Sequence, residues 1–354
     1  MAVEPPPLPP VGAPAPLVDD SPAAARLDYE PGWDGLRALA VVAVVLFHVH
    51  APMAAGGALG VDIFFVLSGF LITTLLKGQI DRRGAVDVRG FFERRFRRLA
   101  PALYLMLVIT FVAASVFGPW PETPKPLEVF LAGAYLTDFY LMSPRAVGSF
   151  LNPTWSLAVE AQFYLLWPFV VTALTRLPQR AAFYVLLVSW VAMTACHAYV
   201  FSLGGPAAYY APWLHSTGLL MGSALAFLRP APNKFVGWLG LLICLAVISP
   251  YNFAGATLPM VELGAALTIT APPAILRLSP LVWIGEISYG VYLWHLPVIA
   301  AFGYPKGLGA ALLDLGVTVP IAALSWRFVE RPLLAASARR PKPIRLWRGA
   351  ATHD

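Results

Sequence analysis

The sequence predicts an all-α polytopic membrane protein of about ten transmembrane helices plus one re-entrant or interfacial segment. Three observations predict it. The 354 residues are 58% hydrophobic and only 12% charged, with a mean hydropathy of +0.68, whereas soluble domains carry about 25% charged residues. Apolar runs of about 20 residues, the length that crosses a bilayer as a helix, recur along the chain. Lys and Arg gather in alternate connections between those runs. The net charge of +6 is therefore a record of topology rather than a surface for nucleic acid.

Taken in order, residues 1–32 are rich in Pro and Ala and hold no Lys or Arg before Arg26. Without a basic n-region or an apolar h-region they read as a disordered cytoplasmic tail rather than a signal peptide. Apolar runs follow at 36–51 and 58–76. The next connection carries Arg82, Arg83, Arg89, Arg94, Arg95, Arg97 and Arg98, which makes it cytoplasmic. Further runs cover 99–117, 127–143, 156–175, 181–202, 209–228, 235–251, 257–276, 281–302 and 307–328. Arg176 and Arg180 follow the fifth run, Arg229 and Lys234 the seventh, and Arg277 the ninth. A basic tail at 333–354 closes the chain, while the loops around 51–57, 203–208 and 251–256 carry no Lys or Arg. Eleven crossings conflict with that charge pattern and ten satisfy it. The run to drop is 127–143, which contains Asp138 and lies between Pro126 and Pro144, so it is expected to re-enter or lie on the outer surface. The result is one membrane domain, 33–332, with both termini cytoplasmic.

The ionisable residues within these runs are the candidates for chemistry, because a charge in hydrocarbon costs about 3 kcal/mol or more unless it is sheltered. Arg37 opens the first run and His48 lies eleven residues further on, about 16 Å along a helix axis. A lone membrane histidine is equally at home as interhelical glue. Asp62 opens the second run, in LGVDIFFVLSGFLITTL. It suits a helix N-terminus, and it also suits orienting His48, since carboxylates commonly steer imidazoles. Arg95 and Arg98 share a helix face at i, i+3, the arrangement that grips a phosphate or pyrophosphate; the plainer reading is a membrane anchor. Glu160, in TWSLAVEAQFYLLWP, needs a partner or a wet cavity. Trp155, Tyr164 and Trp167 around it form either an interfacial belt or a sugar-stacking surface. His295 sits in WIGEISYGVYLWHLP, and Glu330 in SWRFVERP is expected to pair with arginines. Cys196 and Cys244 lie inside apolar runs and are expected to be buried, with no disulfide or metal role.

Together these segments resemble the acyltransferase 3 family of bacterial integral-membrane O-acyltransferases. The resemblance rests on Arg37 with His48, on the GVDxFFxxSGFLI segment Gly60 to Ile72, and on Arg95 and Arg98 ahead of Pro101. It also rests on WSLxxExQFY from Trp155 to Tyr164 and SYxxYLxH from Ser288 to His295. It runs over roughly residues 30–332 and departs at Ala161, where many relatives carry a second Glu. No appended esterase-like domain is visible, so a stand-alone member is expected. The resemblance implies transfer of an acyl group, commonly acetyl, from cytosolic acyl-CoA (acetyl-CoA) to a hydroxyl of a carbohydrate or glycosylated acceptor, without a metal. It implies catalytic roles for His48, Asp62 and Glu160, coenzyme A binding by Arg37, Arg95 and Arg98, and acceptor binding by Trp155, Tyr164 and His295. His48 serves either as general base or as transient nucleophile. The expected place is the bacterial cytoplasmic membrane, in contact with lipid and not with nucleic acid. The rival reading is a proton-coupled transporter or flippase in which His48, Glu160 and His295 relay protons.

Overall fold

In hydrocarbon a backbone must satisfy its own hydrogen bonds, and helices are the local way to do so. A computed structural model describes residues 29–228, 232–249 and 257–338, and every regular element among them is helical. The tail expected at 1–32 stops short of that bound, because Glu30 caps α1 and Pro31 opens it; residues 1–28, Arg229, the loop at 251–256 and the basic tail beyond 338 lie outside the described residues. The order is α1 (Pro31–His48), α2 (Gly60–Arg83), α3 (Val88–Phe117), α4 (Pro126–Gly133), α5 (Thr137–Leu141) and α6 (Thr154–Leu174). Next come α7 (Gln179–Leu203), α8 (Ala207–Tyr210), α9 (Pro212–His215), α10 (Thr217–Leu228), α11 (Lys234–Ile248) and α12 (Thr257–Thr270). The chain ends with α13 (Ser279–Glu286), α14 (Ser288–Ala301) and α15 (Leu308–Ser325), which widens into a π turn at Trp326–Glu330 and continues as α16 (Arg331–Ala338).

Among the described residues, six helices are long and apolar enough to cross a membrane: Pro31–His48, Gly57–Arg83, Val88–Phe117, Thr154–Leu174, Gln179–Leu203 and Leu308–Ala335. Helices α11 and α12 are apolar but only 15 and 14 residues long. The run at 281–302 is two helices broken at Ile287, and 209–228 is interrupted at Ala211 and Ser216. The segment 127–143 folds as helices of 8 and 5 residues separated by Tyr135 at φ 57°. At 1.5 Å per residue they reach only about 12 and 8 Å, too short to cross.

The helix ends show why the chain turns where it does. Pro31 starts α1 at the position where its missing N–H is harmless, and Glu30 accepts the Gly32 N–H at 3.0 Å. Arg277 grips the same carboxylate at 2.7 and 3.0 Å. Burial alone would push the Glu30 carboxyl up, but the hydrogen bonds from Arg277 and Gly32 outweigh it and hold the group below its usual range. Asp87 caps α3 by accepting the Gly90 N–H at 2.9 Å. Lys77 is buried at the C-terminal end of α10, where it donates to the Ala226 carbonyl at 3.0 Å and lies 4.0 Å over the Phe227 ring.

Helix α1 is the central post of the bundle, with Leu36, Ala38, Ala40, Val41 and Val45 wholly buried. By contrast α3 and α7 expose Val108, Phe111 and Val116, and Tyr184, Val188 and Val191. Large apolar side chains turned outward along whole helices are the mark of a lipid-facing surface. Cys196 on α7 belongs to that exposed surface, against the expectation that both thiols are buried; Cys244 is enclosed. Helices α2 and α10 meet closely. A Cβ added to Gly69 would lie 2.1 Å from the Leu219 carbonyl oxygen, and one on Gly222 would lie 1.9 Å from that of Val66. Both obstacles are backbone atoms, which cannot swing aside. Gly222→Ala is expected to destabilise by about 1–3 kcal/mol through overpacking, measured as a lower unfolding temperature in detergent.

Candidate active site

Two helices carry the polar groups through the bundle. On α1, Arg37 and His48 are three turns apart and therefore on one face. On α14, Tyr289, Tyr292 and His295 recur at i, i+3 and i+6 along another. The two rows meet at their ends, where the His48 and His295 rings lie 4.9 Å apart between centroids at 57°.

The tautomers of both rings follow from their neighbours. The Nδ1 of His48 is 2.9 Å from the Val44 carbonyl, and that of His295 is 2.6 Å from the Tyr292 carbonyl. A carbonyl only accepts, so each Nδ1 carries the hydrogen and each Nε2 keeps its lone pair. His295 is fully buried and its Nε2 has no hydrogen-bond partner among the described residues. His48 is half-buried, which leaves it the more accessible base of the two.

At the other end of the rows, Arg37, Arg95 and Arg98 lie within one another's electrostatic reach. Arg37 is held by Asp34 at 3.0 Å. Neither Arg95 nor Arg98 has an ion-pair or hydrogen-bond partner among the described residues, and the Arg95 Nε is buried without an acceptor. Two unspent guanidiniums beside a third form a site prepared for anionic oxygens. Tyr289 ties α14 to this end by donating to the Leu99 carbonyl at 2.7 Å.

Glu160 stands between the two ends of the column, within electrostatic reach of Arg95 and near Tyr289 and Tyr292. It accepts the Tyr164 hydroxyl at 2.5 Å, Ser68 touches that hydroxyl at 2.6 Å, and Arg95 lies within electrostatic reach of Glu160. The reason is depth. Glu160 lies six residues into α6, and Arg95 and Arg98 lie seven and ten residues into α3, so the helices bring them toward the middle from opposite sides. Glu330 accepts from Ser325 at 3.1 Å and reaches Arg98 only through its field, without the expected ion pair.

Asp62 also departs from expectation. Its recorded partner is His215, with Oδ1 3.2 Å from Nε2, and not His48. Asp62, Val66 and Gly69 form the face of α2 that packs on α10, which turns the carboxylate toward the α9–α10 junction. The Trp155 ring is enclosed by Phe65, Tyr209, Tyr210 and His215, and Tyr164 is buried edge-on against Phe91. Trp167 stacks on Phe163 at 4.4 Å and donates to Thr73 across the α2 interface. None of the three rings forms an interfacial belt, and none presents a free face for a sugar in this structure. His215, Tyr289 and Tyr292 escaped notice in the sequence, although His215 met the same criterion as His48, an ionisable side chain inside an apolar run.

Comparison with known proteins places this chain in the class of acyltransferases. The acyltransferase-domain family matches residues 30–329, and the chain belongs to that family, acyltransferase 3. It is 35% identical to the peptidoglycan O-acetyltransferase OatA of Listeria monocytogenes, over 86% of this chain and 56% of that protein. It is 32% identical to the O-acetyltransferase OatA of Staphylococcus aureus, over 86% of this chain and 57% of that protein. The chain thus spans a little over half the length of these relatives. No solved structure matches it.

The hydrogen bond to Glu160 is the most sharply defined feature at the arginine end. Removing a hydrogen bond to a charged group costs about 1.5–3 kcal/mol. Tyr164→Phe is therefore expected to lower the unfolding free energy by that amount, and Ser68→Ala by less, in matched detergent denaturation curves.

Proposed function

We propose that the protein transfers an acetyl group from cytosolic acyl-CoA to a hydroxyl of a carbohydrate on the outer side of the bacterial cytoplasmic membrane. The observation that carries this reading is the single column of polar groups from three arginines to two imidazoles. The arginine end suits the phosphates of coenzyme A, and the pantetheine arm would run along α1 and α14 toward His48. Relatives named as O-acetyltransferases, one of them for peptidoglycan, support acetyl as the group and a glycan as the acceptor.

The proposed topology has ten crossings and both termini inside, formed by α1, α2, α3, α6, α7, α10, α11, α12, the α13–α14 pair and α15. It puts the arginine-rich connection between α2 and α3 in the cytoplasm and the His48 end of α1 outside.

In the proposed reaction the Nε2 of His48 removes the acceptor hydroxyl proton as the oxygen attacks the thioester carbonyl. The new C–O bond forms, the C–S bond breaks, and the departing thiolate takes the proton from the imidazolium. The Val44 carbonyl keeps the Nδ1 hydrogen in place, so the lone pair stays on the reactive nitrogen. His295 places a second imidazole lone pair behind it. The distribution of charges alone would also fit a proton-coupled transporter, but two unpartnered arginines beside a carboxylate and the O-acetyltransferase relatives favour transfer.

Incubating purified protein with labelled acetyl-CoA and peptidoglycan fragments tests the proposal, with label appearing on the glycan. His48→Ala is expected to reduce transfer by about 10²–10⁴-fold, the usual worth of a positioned acid–base group, with unfolding temperature unchanged. An acylated wild-type enzyme trapped by rapid quenching would assign His48 as nucleophile instead.

Arg95→Ala or Arg98→Ala is expected to weaken acyl-CoA affinity by about 10- to 150-fold, the equivalent of one charge-assisted hydrogen bond. The Michaelis constant for the acceptor should change little. Lysine at either position should restore affinity only in part, since it lacks the planar fork.

A further inference from the structure

A second buried polar centre lies apart from the arginine–histidine column. Asp62 on α2 and His215 at the end of α9 are both almost completely enclosed. The His215 ring has an acceptor on each side. Its Nδ1 is 2.7 Å from the Tyr209 carbonyl, and its Nε2 is 3.2 Å from Asp62 Oδ1, at ion-pair distance though bent from a full hydrogen bond. A lone pair turned toward a carboxylate would repel it, so the pair is stable only when it holds a proton between the two groups. That occupancy separates His215 from His48 and His295: it has no free nitrogen with which to serve a substrate.

The neighbours show what the pair holds in place. Trp155 and Tyr209 each pack 4.8 Å from the His215 ring, and Phe65 lies at 6.3 Å. The other titratable groups facing the pair are His197 on α7, Glu262 on α12, Tyr209 and Tyr210 on α8, and Tyr292 on α14. Each of the first two is engaged: His197 meets the Leu214 carbonyl at 3.2 Å, and Glu262 accepts from Thr217 and Trp190 at 2.6 Å each. From Trp155 the chain runs directly into Ser156, whose hydroxyl is 2.8 Å from that of Tyr292, and the Tyr292 carbonyl is the acceptor for His295. A contiguous set of packed and hydrogen-bonded groups thus links the pair to the base end of the column.

We propose that Asp62 and His215 form a buried latch that fastens the segment 207–215 onto α2 and thereby positions Trp155, Ser156 and Tyr292 behind His295. Both are positioning residues for the acceptor side of the site. The latch stands on the geometry alone, while its kinetic consequence rests on the transfer reaction proposed above.

Two readouts keep these apart. Ala211, between α8 and α9, is 1% exposed. In protein with Cys196 and Cys244 replaced by Ala, an Ala211→Cys thiol is expected to resist a water-soluble maleimide in detergent. Asp62→Leu or His215→Leu should speed its labelling roughly tenfold or more, because removing one partner of a buried ion pair leaves the other uncompensated. Asp62→Asn should keep it shielded, since the amide donates to the lone pair of a neutral imidazole. Equal shielding in both Leu variants would overturn the latch. In the transfer assay the Leu variants should raise the acceptor Michaelis constant or lower kcat while leaving that for acyl-CoA unchanged, with Asp62→Asn close to wild type. Faster labelling with unaltered acceptor kinetics would remove the positioning role, and a raised donor constant would assign Asp62 to the donor site. Wild-type protein inactive with every glycan would count against the transfer reaction and leave the labelling result standing. Where a Leu variant does not fold, the double cycle of Asp62→Asn with His215→Gln replaces it: the two must be non-additive in unfolding free energy, and additivity overturns the latch.

Discussion

In hydrocarbon an unpartnered backbone or side-chain polar group costs several kcal/mol, and that constraint sorts every residue of this chain. Helix α1 satisfies it by carrying almost pure aliphatic surface into the centre, with polar groups only near its ends. Close glycine contacts let α2 and α10 meet backbone to backbone beside it. Polar side chains then have no exit to lipid and must find one another inside. The result is the row of arginines, tyrosines and imidazoles along α1 and α14, and a separate carboxylate–imidazole pair under α9.

Three interior histidines differ in what their second nitrogen meets. His48 and His295 each give Nδ1–H to a carbonyl and keep a basic Nε2, while His215 is flanked by acceptors on both sides. The same side chain is thus equipped for proton transfer in two places and for holding structure in the third. The carboxylates divide in a parallel way. Asp62 faces an imidazole, Glu160 faces a tyrosine within the field of Arg95, and Glu262 accepts from a threonine and a tryptophan.

Composition and charge spacing determined the class of fold, because the bilayer reads only apolar length and the placement of Lys and Arg, both local properties of a sequence. They also determined that 127–143 is no ordinary span, which its broken helices bear out. The membership in an acyltransferase family was legible in five short motifs, since motifs preserve residue type and order. The shared face of Arg95 and Arg98 was legible too, in their i, i+3 spacing. Only the tertiary structure decided which polar group faces which. Asp62 meets His215 because its face of α2 is the one that packs on α10, and Glu160 comes within electrostatic reach of Arg95 because α3 and α6 bring them to one depth. Partner choice depends on helix rotation and relative depth, which are set by side-chain packing between segments far apart in sequence, and no local pattern encodes them.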